Sequence, residues 1–144
     1  MTGEHATTGR FSRRERLTHA REFQAVFGAR LRKSRGAITV FARPNGLGHD
    51  RLGLSIGRRV GGAVVRGRAK RLIREAFRLS GPARIAPDSG GYDLIVSTRA
   101  HTGYADRSLK APEVMAWLID AARACHRERQ KRDARAPDRD TGDV

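Results

Sequence analysis

GRRVGGAVVRGRAKRLIREAFR, residues 57–78, carries eight arginines and lysines against a single acid, Glu75. From Ala63 onward its apolar residues recur at helical spacing. Val65, Ala69, Leu72, Ile73, Ala76 and Phe77 fall at i, i+4, i+7, i+8, i+11 and i+12, which makes one apolar face. At about 100° per residue, Lys70, Arg71, Arg74 and Arg78 take the opposite side, with Arg68 at its margin. The expectation is a helix with one side in a core and a ridge of fixed positive charge on the other. The plainer alternative is a solvated helix face, but such faces mix both signs so that i,i+4 pairs form. Unneutralised basic clusters of this kind mark a surface for a polyanion.

The helix is expected to stop near Leu79, before Ser80-Gly81-Pro82. Ahead of it, Gly57 to Gly62 form a glycine- and arginine-rich loop whose backbone N–H groups, with the helix N-terminus, favour a phosphate. The loop lacks the GxxxxGK[ST] pattern, so no nucleotide-hydrolysis site is read there.

Two strands are expected upstream. AITVFAR, Ala37 to Arg43, alternates strictly, with Ile38, Val40 and Ala42 on one face and Thr39, Phe41 and Arg43 on the other. RLGLSI, Arg51 to Ile56, points Leu52, Leu54 and Ile56 inward and Gly53 and Ser55 outward. With the turn-like Pro44-Asn45-Gly46-Leu47-Gly48 between them, the two read as an antiparallel hairpin. Phe41 beside an arginine on the polar face suits either a second small cluster under a helix or a stacking platform for a base. Earlier still, AREFQAVF, Ala20 to Phe27, places Phe23, Val26 and Phe27 on one face of a short helix.

Downstream, YDLIVS, Tyr92 to Ser97, is a near-continuous apolar run that suits a central strand covered on both faces. Strand, helix, strand in this order makes it parallel to RLGLSI. A last helix spans about Pro112 to Arg127, with Val114, Met115, Trp117, Leu118, Ala121, Ala122 and Cys125 as its buried stripe. Residues 1–12 read as a disordered basic tail, 13–127 as one domain, and 128–144 as a charged disordered tail.

The 144 residues carry a net charge of +15 with 31% charged and 38% hydrophobic residues. That balance calls for a polyanionic partner, nucleic acid before an anionic membrane surface. No segment approaches the roughly 18 apolar residues that span a bilayer, and the N-terminus has no signal-peptide core, which fits a cytoplasmic protein. The single cysteine, Cys125, excludes an internal disulfide and a multi-cysteine zinc site. With His126 alone beside it, it does not make a metal site. His5, His19, His49, His101 and His126 are scattered, and no serine–histidine–acid set or paired carboxylates suggest catalysis.

These residues resemble a known family, the protein component of bacterial ribonuclease P. The resemblance covers about Arg16 to Leu118 and centres on RLGLSIGRRVGGAVVRGRAKRLIREAFR. There the family has a strand, a basic turn and a helix opening with Arg-Asn-Arg, then Lys-Arg, then Arg. Arg66, Arg68, Lys70, Arg71 and Arg74 match, and REFQAVF lies upstream at the family's spacing. Gly67 stands where the family has asparagine, and Gly57 where it often has a polar or basic residue.

The resemblance implies a small α+β domain, helix-strand-strand-strand-helix-strand-helix, with a four-stranded mixed sheet and a left-handed β-α-β crossover. This is the architecture of the second domain of a small-subunit ribosomal protein. It implies two RNA-facing surfaces. Arg58, Arg59, Arg66, Arg68, Lys70, Arg71 and Arg74 would face the ribonuclease P RNA; Phe23, Phe27, Phe41 and Ser55 would line a cleft for the 5′ leader of precursor tRNA. The protein would be the non-catalytic subunit, one per RNA, of an endoribonuclease that removes the leader. It would bind no cofactor itself, while the RNA subunit requires Mg2+. Competing readings are a structural ribosomal-type RNA-binding protein and a DNA-binding protein, the latter lacking a partner helix before Ala63.

Overall fold

The computed structural model describes residues 13–81, 84–85 and 87–135; the expected N-terminal tail and residues 136–144 lie outside them. A short 3-10 turn at Arg13–Glu15 leads to α1 (Ala20–Gly28), followed by β1 (Arg32–Arg35), β2 (Ile38–Pro44) and β3 (Arg51–Leu54). Helix α2 (Ala63–Ser80), β4 (Tyr92–Thr98), a one-turn helix α3 (Thr102–Ala105) and the long α4 (Ala111–Arg135) follow. The α+β class and the four-stranded mixed sheet are as expected.

Strand order is β1-β2-β4-β3. The expected hairpin between AITVFAR and RLGLSI therefore does not form, because β4 lies between them. It pairs antiparallel with β2 from Ile38↔Thr98 to Pro44↔Tyr92 and parallel with β3 from Arg51↔Asp93 to Leu54↔Val96. The reason is burial: Tyr92 to Val96 are all buried, and only a central strand satisfies both backbone edges and covers both faces of so apolar a run. The hairpin that does form joins β1 to β2. RKSR offers no apolar alternation, so pattern alone does not reveal β1. Its turn needs Gly36, at φ +55°, because a Cβ there would stand 2.1 Å from the Trp117 ring.

One face of the sheet packs against α2 and α4. Ile38, Val40, Ala42, Leu52, Leu94 and Val96 meet Ala69, Ile73, Ala76 and Phe77 of α2 and Val114, Leu118, Ala121, Ala122 and Cys125 of α4. The opposite face carries a smaller cluster, Leu17, Val26 and Ile95, with Phe23 and Phe41 against it. Beyond Ser80, Arg84 folds back over the Phe77 ring at 3.7 Å and donates to the Phe77 carbonyl and to Asp50. A cation thus closes the C-terminal end of α2. Burial lowers the Arg84 pKa, opposed by Asp50.

Helix α4 continues to Arg135 rather than ending near Arg127. The charged segment forms i,i+4 pairs, Arg129–Asp133 and Glu128–Arg132, which sustain a helix without apolar residues. Arg132 donates to the carbonyls of Ala29 and Arg30 at 3.1 and 2.6 Å, tying this helix to the end of α1.

Asp93 is 1% exposed by its side chain and is held by two 2.8 Å bonds from Arg51 and one from Asn45. Arg51 also reaches Glu22 of α1 at 3.1 Å. Removing one member of such a pair leaves the other charge unpartnered. Arg51→Ala is expected to cost about 3 kcal/mol in urea unfolding; a loss under about 1 kcal/mol would show that the pair does not organise this face.

Candidate nucleic-acid interface

Helix α1 lies across the sheet face opposite α2 and α4. Its start is set by Glu22, whose carboxylate accepts the His19 N–H at 3.4 Å, and its seat by Val26, which is fully buried. This orientation brings Phe23, Phe27 and Phe41 together. The Phe23 and Phe27 ring centroids are 6.4 Å apart, and Phe27 meets Phe41 edge-on at 4.9 Å and 80°. Phe23 and Phe41 are half-buried against the small cluster, so the cluster expected under a helix forms around Phe41 while part of its ring stays open. Phe27 is 40% exposed, the most open ring of the three. The Arg32 guanidinium stands 5.9 Å from the Phe41 ring centre.

The register extends this surface in a way the residues alone did not indicate. Ser34 pairs with Thr39, and Thr39 with Ser97, so their side chains share the α1 face. Ser34 and Thr39 are hydrogen-bonded through their hydroxyls at 2.7 Å. Ser55 follows the end of β3, where its N–H donates to Val96 at 3.0 Å, and it is exposed. A strip of hydroxyls therefore crosses the sheet beside the aromatic rings. Hydroxyls donate to phosphate and ribose oxygens without distinguishing bases.

The basic array does not form one surface. Arg58 and Arg59 are exposed in a 3-10 turn, Arg58–Val60, anchored by buried Val60. Arg66 folds back to donate to the Gly61 carbonyl at 3.1 Å. Lys70 and Arg74 line a groove of about 550 Å3 together with Phe23 and Gly53. Arg68 and Arg71 turn to the other side of α2, where Arg68 donates to the Ala105 carbonyl at 2.7 Å. Arg78 is occupied by Glu75 three residues earlier, and that ion pair holds the Glu75 carboxyl below its ordinary range.

The array and the aromatic cluster, read from sequence as separate surfaces, thus meet at Phe23. Gly53 makes this possible: a Cβ there would stand 2.6 Å from the Phe23 ring. Gly67 is different, since a Cβ there meets nothing within 4 Å; an asparagine would fit.

Cys125 is buried, and burial pushes its thiol up to about 11. His126 is bonded through Nδ1 to the Tyr92 hydroxyl at 2.6 Å. Among the described residues no three His, Cys, Asp or Glu side chains gather as metal ligands, and no helix is long and apolar enough to cross a membrane. The chemistry on offer is cationic, hydroxylic and aromatic: binding of a phosphate backbone with unstacked bases.

Comparison with known proteins agrees in kind. The family model described as Ribonuclease P matches residues 11–122. A ribonuclease P protein component from Chromobacterium violaceum is 49% identical over 72 residues, 49% of this chain and 60% of that protein. One from Pseudomonas aeruginosa is 42% identical over 106 residues, 72% of each chain. Among solved structures, the RNase P protein from Thermotoga maritima aligns with a TM-score of 0.56 and 29% identity over 74% of this chain and 93% of its own. The Staphylococcus aureus protein aligns at 0.54 and 26%, over 74% and 90%.

Gly53→Ala is expected to cost about 1–2 kcal/mol in urea unfolding by forcing Phe23 off the strand. Adding Phe23→Leu should recover part of that loss. Strictly additive losses in the double variant would mean that the two residues do not compete for one space.

Proposed function

Because the chain belongs to the ribonuclease P protein family, we propose that it is the protein subunit of a ribonuclease P and acts in tRNA 5′ maturation. In this reading it binds the ribonuclease P RNA and the 5′ leader of precursor tRNA. The observation that carries the proposal is the meeting of Phe23, Phe27 and Phe41 with Lys70 and Arg74 along one open face. A single-stranded leader needs both kinds of group: rings for unstacked bases and cations for the phosphates between them. A ribosomal-type structural protein needs the cations only.

The protein supplies position and charge. Lys70, Arg74, Arg58 and Arg59 neutralise phosphates that would repel each other when two RNA molecules are brought together. The rings hold the leader without reading its sequence, since every base offers a π-face. The hydrolytic step belongs to the RNA partner, which also holds the Mg2+ that supplies its charge stabilisation. The acids beside the cleft do not fit such an ion, because Glu22 and Asp93 are already paired with Arg51.

Reconstitution with a bacterial ribonuclease P RNA and a precursor tRNA at low Mg2+ is the direct test. Leader release that depends on both components is expected; tight RNA binding without stimulation would favour the structural reading. Within the active assembly, Phe41→Ala should weaken precursor tRNA by roughly tenfold and leave mature tRNA unchanged, a loss of about one stacked base. Equal losses on both would remove the cleft assignment. Charge reversal at Lys70 and Arg71 together should impair assembly with the RNA at physiological salt, and normal assembly would detach the array from that role.

A further inference from the structure

Helix α2 presents its second cationic side to α3 and the start of α4. Between them runs a groove of about 410 Å3, rimmed by Arg68, Arg71, Arg107 and Lys110 over a floor that includes Leu72 and Leu109. At about 100° per residue, this side of α2 is turned by roughly 130° from the side bearing Lys70 and Arg74. The volume lies within the roughly 300–1,000 Å3 of small-ligand sites. Glu75 is the single acid on the rim, and Arg78 occupies it. The side chains of Arg71, Arg107 and Lys110 meet no hydrogen-bonding or ionic partner among the described residues. Four cations on one groove without a balancing acid repel each other unless an anion joins them.

Arg107 is held there against its own backbone preference. Its φ is +65°, in the left-handed region that disfavours a side chain. The turn is fixed by Ser108 N–H to Asp106 Oδ1 at 2.8 Å and by Leu109 N–H to the Gly103 carbonyl at 3.2 Å. Leu109 is thereby sunk into the core, leaving Arg107 and Lys110 exposed on either side of it.

We propose that this groove seats an unpaired nucleotide of the ribonuclease P RNA, with Arg107 and Lys110 joining Arg68 and Arg71 on its flanking phosphates. The proposal rests on the family reading above. The base lies on the aliphatic floor and against guanidinium planes, which stack on unpaired bases as rings do. The array on α2 then serves two strands, one on each side of the helix. Neither Arg107 nor Lys110 belongs to the periodic array, so only the fold enrols them.

The test is the affinity of the full-length protein for a ribonuclease P RNA, measured between about 50 and 200 mM salt. Arg107→Ala with Lys110→Ala should lower affinity about tenfold and flatten the log–log salt slope by about 1.4, two single-strand phosphate contacts at roughly 0.7 each. The preference for precursor over mature tRNA should not move. Lys131→Ala, a charge loss on the exposed end of α4, serves as the control. Arg107→Gly relieves the left-handed strain while deleting the charge, so its melting temperature should hold or rise as RNA affinity falls. An unchanged slope in the double variant, an equal change in the control, or a lost leader preference would each overturn the proposal. If the wild-type protein fails to bind that RNA, the family reading fails instead. The same variants are then compared on a short uridine oligonucleotide, where equal binding would overturn the groove as an RNA site.

Discussion

The Asp93 carboxylate sits near the start of the central strand, almost wholly out of water, and its charge is tolerable only because Arg51 grips both oxygens. Desolvating a lone carboxylate costs several kcal/mol even after relaxation. The Arg51 fork offsets that cost with two aligned bonds, Asn45 adds a third, and the Arg51 pKa rises chiefly through its bond to Asp93. This one guanidinium also reaches Glu22. It therefore couples the register of β3 on β4 to the placement of α1. Since α1 carries Phe23 and Phe27, the geometry of the open aromatic face descends from this contact. An alternative register would leave Asp93 buried without its partner.

Helix α2 then works as a beam with three faces. Its apolar stripe is sunk in the main core through Ala69, Ile73, Ala76 and Phe77. The two remaining faces each carry cations, one beside Phe23 and one beside Arg107. The small residues Ala69 and Ala76 on that stripe are fully buried against the sheet. Strong positive charge so near an apolar core is affordable because the guanidinium groups stay at the rim while their stems cover apolar surface.

Charged residues elsewhere serve the fold rather than a ligand. On α4, Glu128, Arg129, Arg132 and Asp133 pair along the helix, and Arg132 satisfies carbonyls at the end of α1. Arg84 closes the end of α2 from the loop beyond it. The difference from the array on α2 lies in the acids. Arg129, Arg132 and Arg84 are engaged by carboxylates and carbonyls of the fold; Arg71 and Arg107 meet no such group among the described residues, and their field is available to another molecule.

Helices α1 and α2, strands β2 and β4, and the family itself were legible in the chain, because each rests on spacings of a few residues. Phe41 on the wrong side of its strand and the unbalanced arginines of α2 were legible for the same reason. The strand order was not: two apolar strands around a turn signal a hairpin locally, and only the need to cover Tyr92–Val96 on both faces puts β4 between them. Strand β1 enters only through the family resemblance, and the last turns of α4 through no signal in the chain, because pairing and charge contacts, not apolar periodicity, hold them. The division of the basic ridge into two sides, the meeting of Lys70 with Phe23, and the arrival of Arg107 beside Arg71 belong to the tertiary structure alone. A helical projection tells which way a side chain leaves its own axis; what waits there is decided by how the other elements pack.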